Sequence, residues 1–233
     1  MGNTVNHKYF LLITFKKISL VALDSKNQIF FTKEILIEDL SVQENFNSLE
    51  KFLNQNIFDI EKSLGKYVED IFLIIDYHEF ISVNLSFKYN YKGLKFSSID
   101  ITNSLIDIKN QFKKTIKDYQ IIHMLINKFI IDGNIYSYLP NEMNCNNLCV
   151  EAKFICLKKD IILNLKKILS KYQISLNKIL YFDYLNDLDV SDDKNIFVTA
   201  EKVLRGFNQN EIFLVNKSIQ NKGFFEKFFD FFS

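Results

Sequence analysis

The chain has 233 residues, 48% hydrophobic and 15% aromatic, enough apolar surface to bury a core without disulfide or metal staples. Lys and Arg number 29 against 28 Asp and Glu, and a formal net charge of +1 provides no basic field that would mark a nucleic-acid binder. No apolar run approaches the roughly 20 residues that cross a bilayer, the patch 9–13 is too short for a signal-peptide core, and Asn6 stands where a myristoylation signal has Ser or Thr.

In chain order, residues 8–14, 18–24 and 28–37 read as three short strands of an antiparallel meander. A helix follows, with Phe46, Leu49, Leu53, Ile57, Ile60 and Leu64 on one apolar face and Gly65 as its stop. Residues 71–75 read as a buried strand, and 81–87 as another.

The stretch from Ser98 to Phe182 has the most regular pattern: helix, strand, strand, helix, strand. Asp100 can cap a helix in which Ile101, Leu105, Ile108, Phe112 and Ile116 recur at spacings of three and four. A strand over 121–131 closes on the turn pair Asp132-Gly133. In 148–157, Leu148, Val150, Ala152, Phe154 and Cys156 alternate with Cys149, Glu151 and Lys153, so one face is core and the other partly wet. Asp160 opens a second amphipathic helix, and 178–182 returns as a strand. Residues 186–195 are acidic and polar and read as a linker. A short helix ending at Arg205, a strand over 211–215 and a polar connector over 216–222 follow.

The last stretch, 223–233, is segregated completely when wound at about 100° per residue. Phe224, Phe225, Phe228, Phe229, Phe231 and Phe232 share an arc of about 160°, while Glu226, Lys227, Asp230 and Ser233 fill the other side. Such a helix is roughly 15 Å long, so it can lie in a membrane interface and cannot span one. Aromatic stripes at helical spacing are more often core, and the residues by themselves leave both readings open.

Chemistry is sparse. The glycines Gly2, Gly65, Gly93, Gly133, Gly206 and Gly223 include no neighbours, which excludes Walker and dinucleotide loops. There is no Gly-x-Ser-x-Gly elbow, no His-Glu-x-x-His and no paired carboxylate with a matching base, and Asp76 and Asp132 read as isolated turn or strand-end acids. Cys145, Cys149 and Cys156 match no zinc spacing and read as reduced, incidental thiols; His123 reads as a satisfied strand histidine. No catalytic residue, cofactor or metal is therefore expected.

The wording of 121–133, "IIHMLINKFIIDG", resembles the "ILHxIPxxFxIDG" run of the cell-division actin homologue FtsA. Pro140, Met143, Leu148 and Val150 fall where that family's "PxGMxGxxLEV" run puts them. The similarity continues through Asn164-Leu165 and 174–185. It departs at Ile126, where the family has proline, and at Glu142 and Cys145, where it has glycine.

The resemblance implies an α/β (α+β) fold with a truncated actin-like first subdomain over 1–97 and an inserted two-helix, three-stranded subdomain over 98–185. A linker with a short helix and strand over 186–222 corresponds to the rejoined family C-terminus, and a membrane-targeting helix occupies 223–233. It tips the tail towards membrane binding, through the six phenylalanines with Lys222 and Lys227, at the cytoplasmic face of the inner membrane. It implies a non-catalytic adaptor of the division machinery that self-associates, with partner contacts around Phe129 and Leu148. The resemblance keeps FtsZ as a possible partner, although the family's docking site for the FtsZ tail lies in a subdomain missing here. Where the family has an Asp-x-Gly phosphate hairpin, this chain has Thr14-Phe15-Lys16-Lys17, and the second, glycine-rich phosphate loop has no counterpart. Loss of nucleotide binding is the expectation. A pilus-assembly scaffold of the actin-like type, or a soluble interaction domain without a membrane role, is the alternative.

Overall fold

The computed structural model describes residues 7–37, 42–96, 98–140, 143–189 and 195–212. They form a mixed α/β protein whose strands make two sheets, and the chain divides into two compact units. Among the described residues, the first comprises 7–80 and 157–207 and the second 81–156 and 208–212.

The sheet of the first unit has the order β3-β2-β1-β4-β9. Strands β1 (Lys8–Ile13), β2 (Lys17–Leu23) and β3 (Ile29–Leu36) form the expected antiparallel meander, with Leu11 opposite Leu20 and Val21 opposite Thr32. Almost every residue of β1 and β2 is buried, as befits apolar strands covered on both faces, whereas the edge strand β3 is largely exposed. Helix α1 (Val42–Leu64) buries Phe46, Leu49, Phe52, Leu53 and Ile60. It stops at Gly65, whose φ of 67° lets its N–H reach the Lys62 carbonyl and that of Lys66 reach the Glu61 carbonyl; no atom lies within 4 Å of where a Cβ would stand, so glycine is required there by conformation and not by space.

Strand β4 (Asp70–Ile75) then runs parallel to β1. Its other edge is covered by β9 (Ser175–Tyr181), also parallel, with a register shift at Ile71/Phe72. Helix α3 (Lys159–Ser170) buries Ile161, Ile162, Leu165, Ile168 and Leu169 and packs beside α1, where Lys171 pairs with Glu50 and the Tyr172 hydroxyl donates to the Glu50 carbonyl at 3.1 Å. Two short helices, α4 (Phe182–Leu188) and α5 (Ile196–Leu204), complete this unit. Asn195 caps α5, its side-chain oxygen accepting from the amides of Phe197 and Val198.

Among the described residues, the second unit is a sheet of order β5-β8-β6-β7 with one helix, α2 (Ser98–Thr115). Strand β5 (Ile81–Asn90) pairs antiparallel with β8 (Asn147–Lys158) over ten positions, from Ile81 opposite Cys156 to Asn90 opposite Asn147. Strand β6 (Tyr119–Ile131) turns at Asp132-Gly133 into β7 (Asn134–Tyr136), which covers Phe129 to Ile131. Leu105 and Phe112 of α2 pack with Met124, Phe129, Leu148 and Phe154, and the Phe112 and Phe154 rings meet edge to face at 5.2 Å.

The two helices and the long strands between Ser98 and Tyr181 match the sequence expectation, with the three-residue β7 added; their grouping does not. Strand β5, assigned by sequence to the first subdomain, belongs to the second sheet, while α3 and β9, assigned to the inserted one, belong to the first. The chain therefore parts at 80/81 and 156/157 and not at 97/98 and 185/186. The cause is pairing. The open side of β4, with Ile71, Leu73, Ile74 and Ile75 buried, takes β9 as a parallel neighbour, and the long alternating β5 takes β8. The expected linker over 186–195 begins as the last residues of α4.

Candidate functional site

The first place to look for chemistry is the β1–β2 hairpin, where an actin-like phosphate loop would present free backbone amides to an anion. Here Thr14 fills that position. Its hydroxyl oxygen accepts from the amides of Lys16 at 3.2 Å and Lys17 at 3.1 Å, and its own amide donates to the Lys17 carbonyl at 3.0 Å. The Lys17 ammonium is turned onto Glu34 at 3.3 Å, which also accepts from Ser19 at 3.1 Å. The Phe15 ring stacks on His78 at 4.5 Å. The amides of Thr14, Lys16 and Lys17 are thus engaged within the turn itself.

Ligands of open α/β sheets bind outside the carboxyl ends of parallel strands, here the ends of β1, β4 and β9. That edge carries Asp76, Tyr77 and His78 after β4, and Tyr181 and Asp183 where β9 passes into α4. The Asp76 amide donates to the Ile13 carbonyl at 2.9 Å, and burial, reinforced by Asp183, holds the Asp76 carboxyl above the usual carboxylate range. The Tyr181 hydroxyl donates to Asp183, and the Tyr181 and Phe80 rings lie 4.3 Å apart. Burial, followed by the Asp183 hydrogen bond, pushes the Tyr181 phenol up.

In the second unit, Phe129 and Leu148 are 1% and 0% exposed. The expectation that they mark a partner-facing surface is corrected: alternation turns both inward, onto α2. The outward face of this sheet is polar. Ser82, Asn84, Ser86 and Lys88 of β5 are exposed, the Ser86 hydroxyl meets the Cys149 sulfur at 3.1 Å, and Lys128 pairs with Glu151 at 3.3 Å. The turn acid Asp132 is structural, its carboxylate accepting from the amides of Asn146 and Asn147, the latter at 2.8 Å.

His123 is a satisfied core histidine, as the sequence suggests. Its partner was not legible: Nδ1 lies 2.8 Å from Oε1 of Glu211, 88 residues along the chain, and both groups are buried. The three cysteines are free thiols, with burial raising that of Cys145 and pushing that of Cys156 up to about 12. Among the described residues, no group of His, Cys, Asp and Glu is placed to hold a metal, and no helix is long and apolar enough to cross a membrane. The candidate membrane residues Phe224, Phe225, Phe228, Phe229, Phe231, Phe232, Lys222 and Lys227 lie outside the described residues.

No protein-family model matches the chain, and no curated protein matches it. Among solved structures it is similar to one titled as the PilM-PilN type IV pilus biogenesis complex, at 6% identity and a TM-score of 0.44. It is also similar to the cytoplasmic domain of EpsL, an inner-membrane component of the type II secretion system of Vibrio cholerae, at 5% identity and a TM-score of 0.36. The alignments cover 76% and 77% of this chain but 48% and 57% of those chains, so it spans about half the length of each.

Proposed function

We propose that this chain is an FtsA-like, membrane-associated adaptor of the bacterial division machinery, working through protein contacts and self-association without ATP hydrolysis. The observation that carries the reading is the Thr14 hydroxyl bound to the amides of Lys16 and Lys17. These two donors already have an acceptor and lose hydrogen bonds if the hairpin receives a phosphate, which supports a scaffold without a catalytic loop. The match of 121–133 and of Pro140, Met143, Leu148 and Val150 to the FtsA pattern supports the division assignment, and the segregated aromatic tail supports attachment at the cytoplasmic face of the inner membrane.

Burying one Phe contributes about 1.5 to 3 kcal/mol, so a single tail binds reversibly, and firm attachment follows from self-association that multiplies tails. Lys217, Lys222 and Lys227 are largely offset by Glu226 and Asp230, which makes binding only weakly dependent on salt.

Flotation with liposomes tests the reading. The intact chain floats, whereas a chain ending at Lys222, or one carrying Phe228→Asp with Phe229→Asp, stays in solution. Equal flotation of all three overturns the membrane role, and capture of pilus-assembly proteins in place of division proteins from a cell extract favours the pilus-type scaffold.

A further inference from the structure

β7 reaches only Phe129 to Ile131 of β6, which leaves the edge of β6 around Leu125 to be covered by something else. Residues 208–212 cover it. Leu125 and Glu211 form an isolated antiparallel bridge, flanked by hydrogen bonds from the Ile126 amide to the Asn210 carbonyl and from the Ile212 amide to the Met124 carbonyl, both 2.8 Å. This is the pattern of a non-hydrogen-bonded antiparallel pair, in which the opposed side chains lie close. Ile212 inserts into the core of the second unit, and Glu211, diagonal to His123, forms the buried 2.8 Å contact with its ring. Three features thus define the site: an edge that offers one amide and one carbonyl, an apolar slot for the residue after the acid, and a histidine that reads the carboxylate.

We infer that the β6 edge at 124–126, with His123, is a strand-acceptor site whose ligand is the 208–212 segment, held in cis in one copy and exchangeable with that of a second copy. The inference rests on the self-association reading above and gives it a contact. The bridge, its two flanking backbone hydrogen bonds and the Glu211 contact with His123 all fall within residues 208–212. The residues just before it, Arg205 to Phe207, belong to the first unit, and Phe207 is 61% exposed. Such a short, locally fastened element is the kind that two copies exchange at low cost, because each released contact is remade identically. In dilute solution the tethered segment wins; on a surface crowded with copies the local concentration of second segments rises and exchange follows.

The test uses the full chain in solution, without membrane, so its outcome is independent of flotation. A fluorescein-labelled peptide with the sequence of residues 207–213 is titrated against wild type, against the isosteric Glu211→Gln chain, and against Glu211→Ala with Ile212→Ser, each first shown by circular dichroism to keep its fold. The released chains bind the peptide at least about tenfold more tightly than wild type, and a peptide with Gln in place of its Glu loses about tenfold, as removal of a charge-assisted hydrogen bond requires. Equal affinity of the three chains, equal affinity of the Glu and Gln peptides, or no binding to a released chain that keeps its fold overturns the proposal.

Discussion

The carboxylate of Glu201 on α5 is fully buried, and the ammonium of Lys8 at the start of β1 meets both of its oxygens, at 2.6 and 2.7 Å. Arg205, the residue that caps the end of α5 one turn after Glu201, donates to the same carboxylate, and its guanidinium also reaches Asn27 in the β2–β3 turn at 3.2 Å. A helix late in the sequence is in this way clamped to the first strand by an acid that cannot be left alone. Removing Lys8 leaves a buried carboxylate with a single cation, so Lys8→Met is expected to cost about 3 kcal/mol in urea unfolding. Replacing both partners, Lys8→Met with Glu201→Leu, is expected to cost clearly less, since an apolar pair leaves no charge uncompensated; a double variant as unstable as the single one contradicts this account.

The Thr14 turn makes two expectations about nucleotides. Calorimetry with Mg²⁺ and ATP is expected to show no binding, and a micromolar, Mg²⁺-dependent affinity overturns the reading of the hairpin. Thr14→Val keeps the side-chain shape but strands the amides of Lys16 and Lys17, so it is expected to lower stability by about 1 to 2 kcal/mol.

Phe129 and Leu148 lie in the core of the second unit, so Phe129→Asp and Leu148→Asp are expected to unfold it, and even Leu148→Ala to cost about 2 to 5 kcal/mol. Charge reversal on the exposed face behaves differently. Lys128→Glu breaks a half-exposed pair with Glu151 and is expected to change stability by about 1 kcal/mol or less, while altering capture of any partner that reads this face. Comparing thermal melts with pull-downs for the two sets separates core from surface.

Asp76 sets a pH dependence whose sign follows from its environment. Burial, then Asp183, raises its carboxyl above the ordinary 3.8, so the folded state prefers the protonated acid. Stability from this group is full below pH 3.8 and is lost as pH rises through the folded value. Asp76→Asn is therefore expected to raise the melting temperature at pH 7, with the difference shrinking towards pH 3. A variant less stable than wild type at pH 7 reverses the sign and the argument.

Local order was legible in the residues by themselves. The three meander strands, the helix ending at Gly65, the alternation of β8 and the apolar stripe of α3 all follow from side-chain periodicity, which depends on the geometry of one element at a time. The Thr14-Phe15-Lys16-Lys17 sequence announced a hairpin without a glycine phosphate loop, although not that Thr14 would cap the amides itself. Tertiary structure decided which strands became neighbours. Nothing in the alternation of β5 says that it pairs with β8 and not with β4, and nothing in β9 says that it leaves the helix-strand run before it to lie parallel to β4. Sheet edges are filled by whichever strand the folded chain delivers, and a pairing energy is shared between residues far apart in sequence. The same holds for His123 and Glu211: each is an ordinary polar residue in its own segment, and only the fold brings 88 residues of separation down to 2.8 Å.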